Sequence, residues 1–253
     1  MKNIATVLLL LMTVSIYGQT AKKAKAKPNV LIITAHPDDW EYSMGGTAFL
    51  MKDKYKIHVA IASRGERGLS KEPSLNTARI RVNEAECSAK MVNATNHYLD
   101  KIDGEIYADR DAVEKLVKLL QELQPEIIFV HWPIDKPDHS AAANMAHIAL
   151  SNTGMIYDHE IYFFDAGHVS TSTQFTPQIY VNITPVYEYK KQLIRCHKCQ
   201  NTNDFLVKEA EKTDKMYGAV NRTGYAEGFI PEYPFTNGRW DTNKKVKCSL
   251  FDL

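Results

Sequence analysis

The chain is short of cysteine, of charge imbalance and of long apolar runs, and each shortage removes a class of protein. It has four cysteines, Cys87, Cys196, Cys199 and Cys248. Cys196-His197-Lys198-Cys199 has the spacing of half a zinc site or of a redox pair. No second matching pair exists, so a four-ligand structural site has no support. Cys196 and Cys199 either join in a disulfide, which an exported chain permits, or serve as structural cysteines on a helix; both readings stay open at this level. The formal net charge of +1 gives no basic footprint for a nucleic acid. Repeats and low-complexity segments are lacking too. The apolar run from Ile4 to Ile16 is too short to span a bilayer comfortably.

That run follows Lys2 and leads into Tyr17-Gly18-Gln19-Thr20, so residues 1–19 read as a secretory signal peptide. The absence of cysteine near its exit argues against a lipid anchor, and no stable membrane anchor is expected. Residues 20–28 read as a flexible basic tail. Residues 29–253 read as a single domain with a full core. The expected destination lies across the inner membrane, in the periplasm. The oligomeric state is not legible.

Apolar stretches alternate with helical patterns along the remainder. Val30 to Ile33, Ile57 to Ala62 and Ile127 to Val130 read as buried strands. Helices are predicted over Gly46–Lys54, Thr77–Val92, Ala112–Leu123, Ser140–Leu150, Tyr187–Cys199 and Asp204–Tyr217. Short strands are predicted near Asn96–Leu99, Glu160–Phe164 and Gln178–Ile183. The last stretch, including Tyr225-Ala226-Glu227-Gly228-Phe229, reads as loop packed over the site. Alternating strands and helices argue for an α/β fold with a mostly parallel sheet.

Chemistry concentrates where strands end. Ala35-His36-Pro37-Asp38-Asp39-Trp40-Glu41 puts one imidazole and three carboxylates together after the first strand. Their mutual repulsion calls for a cation, and mixed nitrogen and oxygen donors suit zinc or a related divalent ion. Gly45-Gly46 permits a tight turn or a close approach. Ser63-Arg64-Gly65-Glu66-Arg67-Gly68 follows the second strand, and His131-Trp132-Pro133-Ile134-Asp135-Lys136-Pro137-Asp138-His139 follows a later one. In open α/β sheets, that carboxyl edge is where ligands bind.

The string from Ala35 to Thr47 resembles the signature of the LmbE-like zinc de-N-acetylases, which include the PIG-L enzymes. Ala-His-Pro-Asp-Asp, a Glu at 41 and Gly45-Gly46-Thr47 all stand at the fixed positions. Gly65-Glu66, Arg81 with Glu84, Asp103-Gly104, Pro137-Asp138-His139 and Tyr225 to Phe229 extend the resemblance in order. It implies a Rossmann-like three-layer α/β/α sandwich. It also implies an exported hydrolase that removes acetyl from an N-acetylated amino sugar or glycoside, small or oligosaccharide, and releases acetate. The alternatives are hydrolysis of another amide conjugate, or an idle metal-containing sugar-binding protein.

The resemblance makes His36, Asp39 and His139 the ligands of Zn2+ or another divalent metal. Glu66, Arg81 and Asp103 would face the substrate. Asp38 is assigned as general base and as acid towards the departing amine, and Glu41 as a support for His36 or another ligand. His147, His197 and Gln200 are read as structural. The chain departs from the family at Lys136, where many members carry a histidine that stabilises the oxyanion. Either Lys136 or His131 would have to take that part.

Overall fold

A computed structural model describes residues 26–166, 175–232 and 248–253. The predicted signal peptide, and the basic tail up to residue 25, lie outside the described residues. Seven strands form one sheet in the order β3-β2-β1-β4-β5-β7-β6. The strands are β1 (Asn29–Thr34), β2 (Lys56–Ser63), β3 (Thr95–Lys101), β4 (Ile127–His131), β5 (Glu160–Phe164), β6 (Ile179–Asn182) and β7 (Ala226–Glu232). The first five run parallel, and β7 runs antiparallel to both β5 and β6.

Among the described residues, the α-helices are α1 (Asp39–Met51), α2 (Leu75–Val92), α3 (Arg110–Leu123), α4 (Pro137–Thr153), α5 (Tyr187–Arg195) and α6 (Phe205–Asn221). The continuous apolar run of β1 has a simple cause. Val30 and Ile32 pack into the core under α1, α2 and α5, while Leu31 and Ile33 pack into the core under α3 and α4. A central parallel strand is covered on both faces, so every position must be apolar. The architecture is a three-layer α/β/α sandwich. Among the described residues, no helix is long and apolar enough to cross a membrane.

The chain leaves β1 towards β2 and β3, then returns to place β4 on the other side of β1. The carboxyl ends of β1 and β4 therefore flank a topological switch point, where the connecting loops diverge and leave a crevice.

Three differences from the sequence reading bear on the site. The first helix begins at Asp39 rather than Gly46, and it breaks at Met44, where φ is −140°. Seven residues of charged motif are thus folded into a helix whose own periodicity is too interrupted to read. The fourth helix begins at Pro137, because a proline in the first turn needs no amide hydrogen and has its φ preset. Tyr225 to Phe229 is no loop: Ala226–Glu232 is β7, an internal strand hidden in sequence by Glu227, Gly228 and Pro231.

Cys196 pairs with Cys87 across 109 residues, tying α2 to the end of α5. The Cys196–Cys199 pairing is thereby excluded. The helix stops at Arg195, and the Cys199 thiol points to the Glu84 carboxylate at 2.9 Å.

Candidate metal centre and cavity

The loop after β1 places His36 and Asp38, and the first turn of α1 places Asp39. Asp38 has a left-handed backbone, φ 105°, a costly conformation for a residue with a Cβ. It turns the chain sharply enough for Asp39 to fold back beneath the loop. The Asp39 carboxylate then accepts from the His36 amide at 2.8 Å and from the Thr34 hydroxyl at 3.0 Å.

Asp135 comes from the loop after β4, and Asp138 and His139 from the first turn of α4. His139 Nε2 lies 3.4 Å from Asp39 Oδ1, and His36 Nδ1 lies 3.6 Å from Asp39 Oδ2. The other nitrogen of His139 donates to Asp135 at 2.9 Å, which fixes the ring and its tautomer. His36 Nε2 faces Asp138 at 3.1 Å and Asp103 at 3.2 Å.

Three sets of donors lie within 4.8 Å of one another: His36, Asp39 and His139; His131, Asp135 and His139; and His36, Asp103 and Asp138. The cavity distinguishes them. A cleft of about 470 Å³ is lined by all three members of the first set, but not by His131, Asp135 or Asp138. The first set therefore fits a divalent cation that must also meet a substrate: two imidazoles and one carboxylate, with open positions facing the cleft.

The charges are strongly coupled. Burial pulls His36 and His139 down, but the surrounding carboxylates overcome it. Asp103, Asp138 and Asp39 hold His36 well above the ordinary imidazole range, and Asp39 and Asp135 push His139 up to about 9. Burial disfavours the Asp39 anion, yet His139, His131 and His36 hold it well below the usual carboxylate range. Burial raises Asp38, while Arg81 opposes that shift.

Arg81 comes from α2 and is nearly fully buried. Its guanidinium lies 3.0 Å from Asp38 and 3.7 Å from Asp103, and it donates to the Pro37 carbonyl. It packs under Gly65, whose φ of 71° and missing Cβ leave room for the guanidinium. Arg81, Asp38 and Asp103 all line the cleft, as does Lys136, whose ammonium has no partner among the described residues.

Two assignments change place. Glu41 is fully buried and accepts from Ser88 and from His197 Nε2, the latter at 2.8 Å; none of its hydrogen bonds reaches His36. Its position two residues along the helix from Asp39 turns it away from the metal side and towards α2 and the turn after α5. Glu66 does not line the cleft. Its carboxylate accepts from the backbone amides of Asp103 at 3.1 Å and Arg64 at 3.4 Å, bracing two loops against each other.

His131 is also removed from the reaction side. It is fully buried, and its Nε2 lies 3.1 Å from both the Ala35 amide nitrogen and Asp39 Oδ2, behind the carboxylate rather than on the cleft wall. Its ring stacks on His139 with centroids 4.4 Å apart. Burial and the neighbouring His139 push it down to about 4, so it is neutral. His147 is exposed on α4, 3.9 Å from Glu232 and away from the cleft.

The sequence reading gave no site role to Asp135, Asp138, Arg67, Tyr42, Phe205 or Leu206, and it took Gln200 as structural. Asp138 stood within the Pro-Asp-His string, and Asp135 stands only four residues before His139, near enough in the chain to meet it. Gln200, Phe205 and Leu206 reach the cleft from the far end of the chain, with Gln200 donating to the Gly68 carbonyl at 2.7 Å.

Comparison with known proteins places this geometry. Residues 31–150 match the family described as GlcNAc-PI de-N-acetylase, PIG-L. The chain is 26% identical over 232 residues to 4-oxalmesaconate hydratase of Pseudomonas putida, covering 81% of this chain and 90% of that protein. It is 27% identical over 222 residues to diacetylchitobiose deacetylase of Thermococcus kodakarensis, covering 80% and 83%. Among solved structures, it is similar to N,N'-diacetylchitobiose deacetylase from Pyrococcus horikoshii complexed with its inhibitor MPG. The TM-score is 0.71 at 25% identity, covering 83% of this chain and 85% of that one.

Proposed function

The chain belongs to the PIG-L family through residues 31–150, and on that premise we propose that it is a zinc-dependent hydrolase of N-acetylated amino sugars or their glycosides. It cleaves the acetamide with water and releases acetate and a free amine. The observation that carries this reading is the His36, Asp39 and His139 donor set on the wall of a cleft that also holds Asp38. The likeness to two diacetylchitobiose deacetylases supports the substrate class.

His36, Asp39 and His139 would hold the ion, with Asp135 orienting His139 from behind. When bound, zinc acidifies water and polarises a carbonyl. Asp38 takes the proton from the attacking water and delivers it to the amine nitrogen as the C–N bond breaks, because an unprotonated amine leaves poorly. Its carboxyl, held above the usual carboxylate range by burial, suits both halves of that transfer. Arg81 holds the Asp38 carboxylate in place at 3.0 Å. Lys136 lines the cleft and supplies positive charge to the developing oxyanion, the part for which the buried, neutral His131 is unsuited.

The reading includes export to the periplasm. The N-terminal pattern at residues 1–19 motivates it, and the Cys87–Cys196 disulfide supports it, since such bonds persist in oxidising compartments. Mass spectrometry of protein from the native host tests it: a mature chain starting near residue 19 is expected, and an intact Met1 in a cytosolic fraction would overturn it.

A second reading has its own support. The unpaired Lys136 in the cleft is suited to a substrate carboxylate, and one relative is named a hydratase of an unsaturated polycarboxylate. The deciding experiment incubates zinc-loaded protein with N-acetylhexosamines, their glycosides, and unsaturated di- and tricarboxylates. Acetate release with turnover is expected. Loss of the conjugated double bond without acetate would favour the hydratase.

A further inference from the structure

Two sequence features remain unexplained by the cleft: Gly45-Gly46-Thr47, and the Glu227 of Tyr-Ala-Glu-Gly-Phe. In the structure they meet. The break in α1 at Met44 interrupts the helical ladder, so the second half of the helix needs its own N-terminal partner. Glu227, reaching from β7, supplies it. One carboxylate oxygen accepts from the Gly46 amide at 2.9 Å, and the other from the Thr47 amide at 2.7 Å. Glu227 is 1% exposed, and its charge is met by the fully buried Lys190 of α5 at 2.8 Å. Lys190 also binds Asp214 of α6 at 2.8 Å.

Gly46 belongs to the same arrangement. A Cβ there would come within 2.7 Å of Ile183 Cγ2, whereas one on Gly45 would make only ordinary contact with Leu193 and Lys190. The missing side chain at Gly46 lets the broken helix lie close enough for the carboxylate to reach both amides. A negative charge at a helix N-terminus is favourable, and a buried charge persists only when paired. Lys190 meets that condition.

The first half of α1 carries Asp39 and Tyr42 on the cleft wall. Its direction depends on where the second half is pinned. We propose that Glu227 is a positioning residue for the metal site: by anchoring the second half of α1 at Gly46 and Thr47, it sets the angle at which Asp39 meets His36 and His139. This rests on the reading of Asp39 as a ligand.

The test uses the full chain and Zn2+ in competition with a chromophoric chelator. Glu227→Gln keeps the shape, but its NH2 group is a donor and cannot accept from the second backbone amide. It should bind Zn2+ about tenfold or more weakly, and exchange of the Gly46 and Thr47 amide hydrogens should quicken. Glu232→Gln, on the same strand, should change neither. A merely structural role would lower the melting temperature and leave the affinity of the folded protein unaltered. Folded Glu227→Gln with wild-type Zn2+ affinity overturns the proposal. If that variant does not fold, Lys190→Met with Glu227→Gln removes the charge pair together, and wild-type affinity there overturns it equally. Wild-type protein that binds no Zn2+ would fail the metal reading instead. Amide exchange at residues 46 and 47 would then decide the anchor alone: unchanged exchange in Glu227→Gln overturns it.

Discussion

The Arg81 guanidinium lies 3.0 Å from the Asp38 carboxylate, and the same arginine binds the carbonyl of Pro37 just before it. One side chain from α2 thus clamps both the strained backbone and the acid that it presents. Asp38→Asn should keep the loop intact, because asparagine tolerates a left-handed backbone well. It cannot accept a proton. Metal content should stay near one ion per chain, and turnover should fall roughly a hundredfold or more. Wild-type turnover in this variant would mean that the proton goes elsewhere.

His139→Ala should lose both metal and activity. Asp135→Asn should retain the fold but bind Zn2+ about ten- to a hundredfold more weakly, since the carboxylate behind a ligand histidine fixes its orientation. Elemental analysis and chelator competition measure both effects. Full metal content in His139→Ala would remove it from the ligand set.

Lys136→Met should retain metal and lose roughly a hundredfold in turnover, the scale of one missing oxyanion donor. Since Lys136 is exposed at the cleft rim, its loss should not lower the melting temperature. Unchanged turnover would exclude the ammonium from the reaction.

Asp214 should impose a pH dependence on stability. Burial pushes its carboxyl up to about 7; Lys190 opposes the shift, and Glu227 and Glu211 reinforce it. A carboxyl raised in the folded state favours folding most below its ordinary value near 3.8, and that contribution is lost as pH rises through 7. Asp214→Asn should therefore melt at a higher temperature than wild type, by a margin that widens between pH 5 and pH 7.5. A constant margin across that range would show that Asp214 stays ionised.

The parallel part of the fold was legible because β1, β2 and β4 are buried on both faces and read as apolar runs, interrupted in β2 only by His58. The donor set was legible because His36 and Asp39 stand within one short motif, while His139 sits in a Pro-Asp-His string. Other features were not. Glu41 is three residues from Asp38, and no local rule tells which face of a broken helix it takes. β7 carries a buried glutamate, a glycine and a proline, so alternation failed to mark it. The Cys87–Cys196 pair spans 109 residues and was overshadowed by the nearer Cys199.

The placement of β7 has a consequence for when the site forms. Among the described strands it is the last to leave the ribosome, yet it lies between β5 and β6. Glu227 must find Gly46 and Thr47 across about 180 residues of chain. Contacts of such sequence separation form late. A nascent chain that ends after α4 would hold His36, Asp39 and His139, the proposed donors, yet still leave α1 without its Glu227 anchor. Competence for metal should thus arrive abruptly near the end of synthesis or translocation, rather than accumulate as the motif residues emerge.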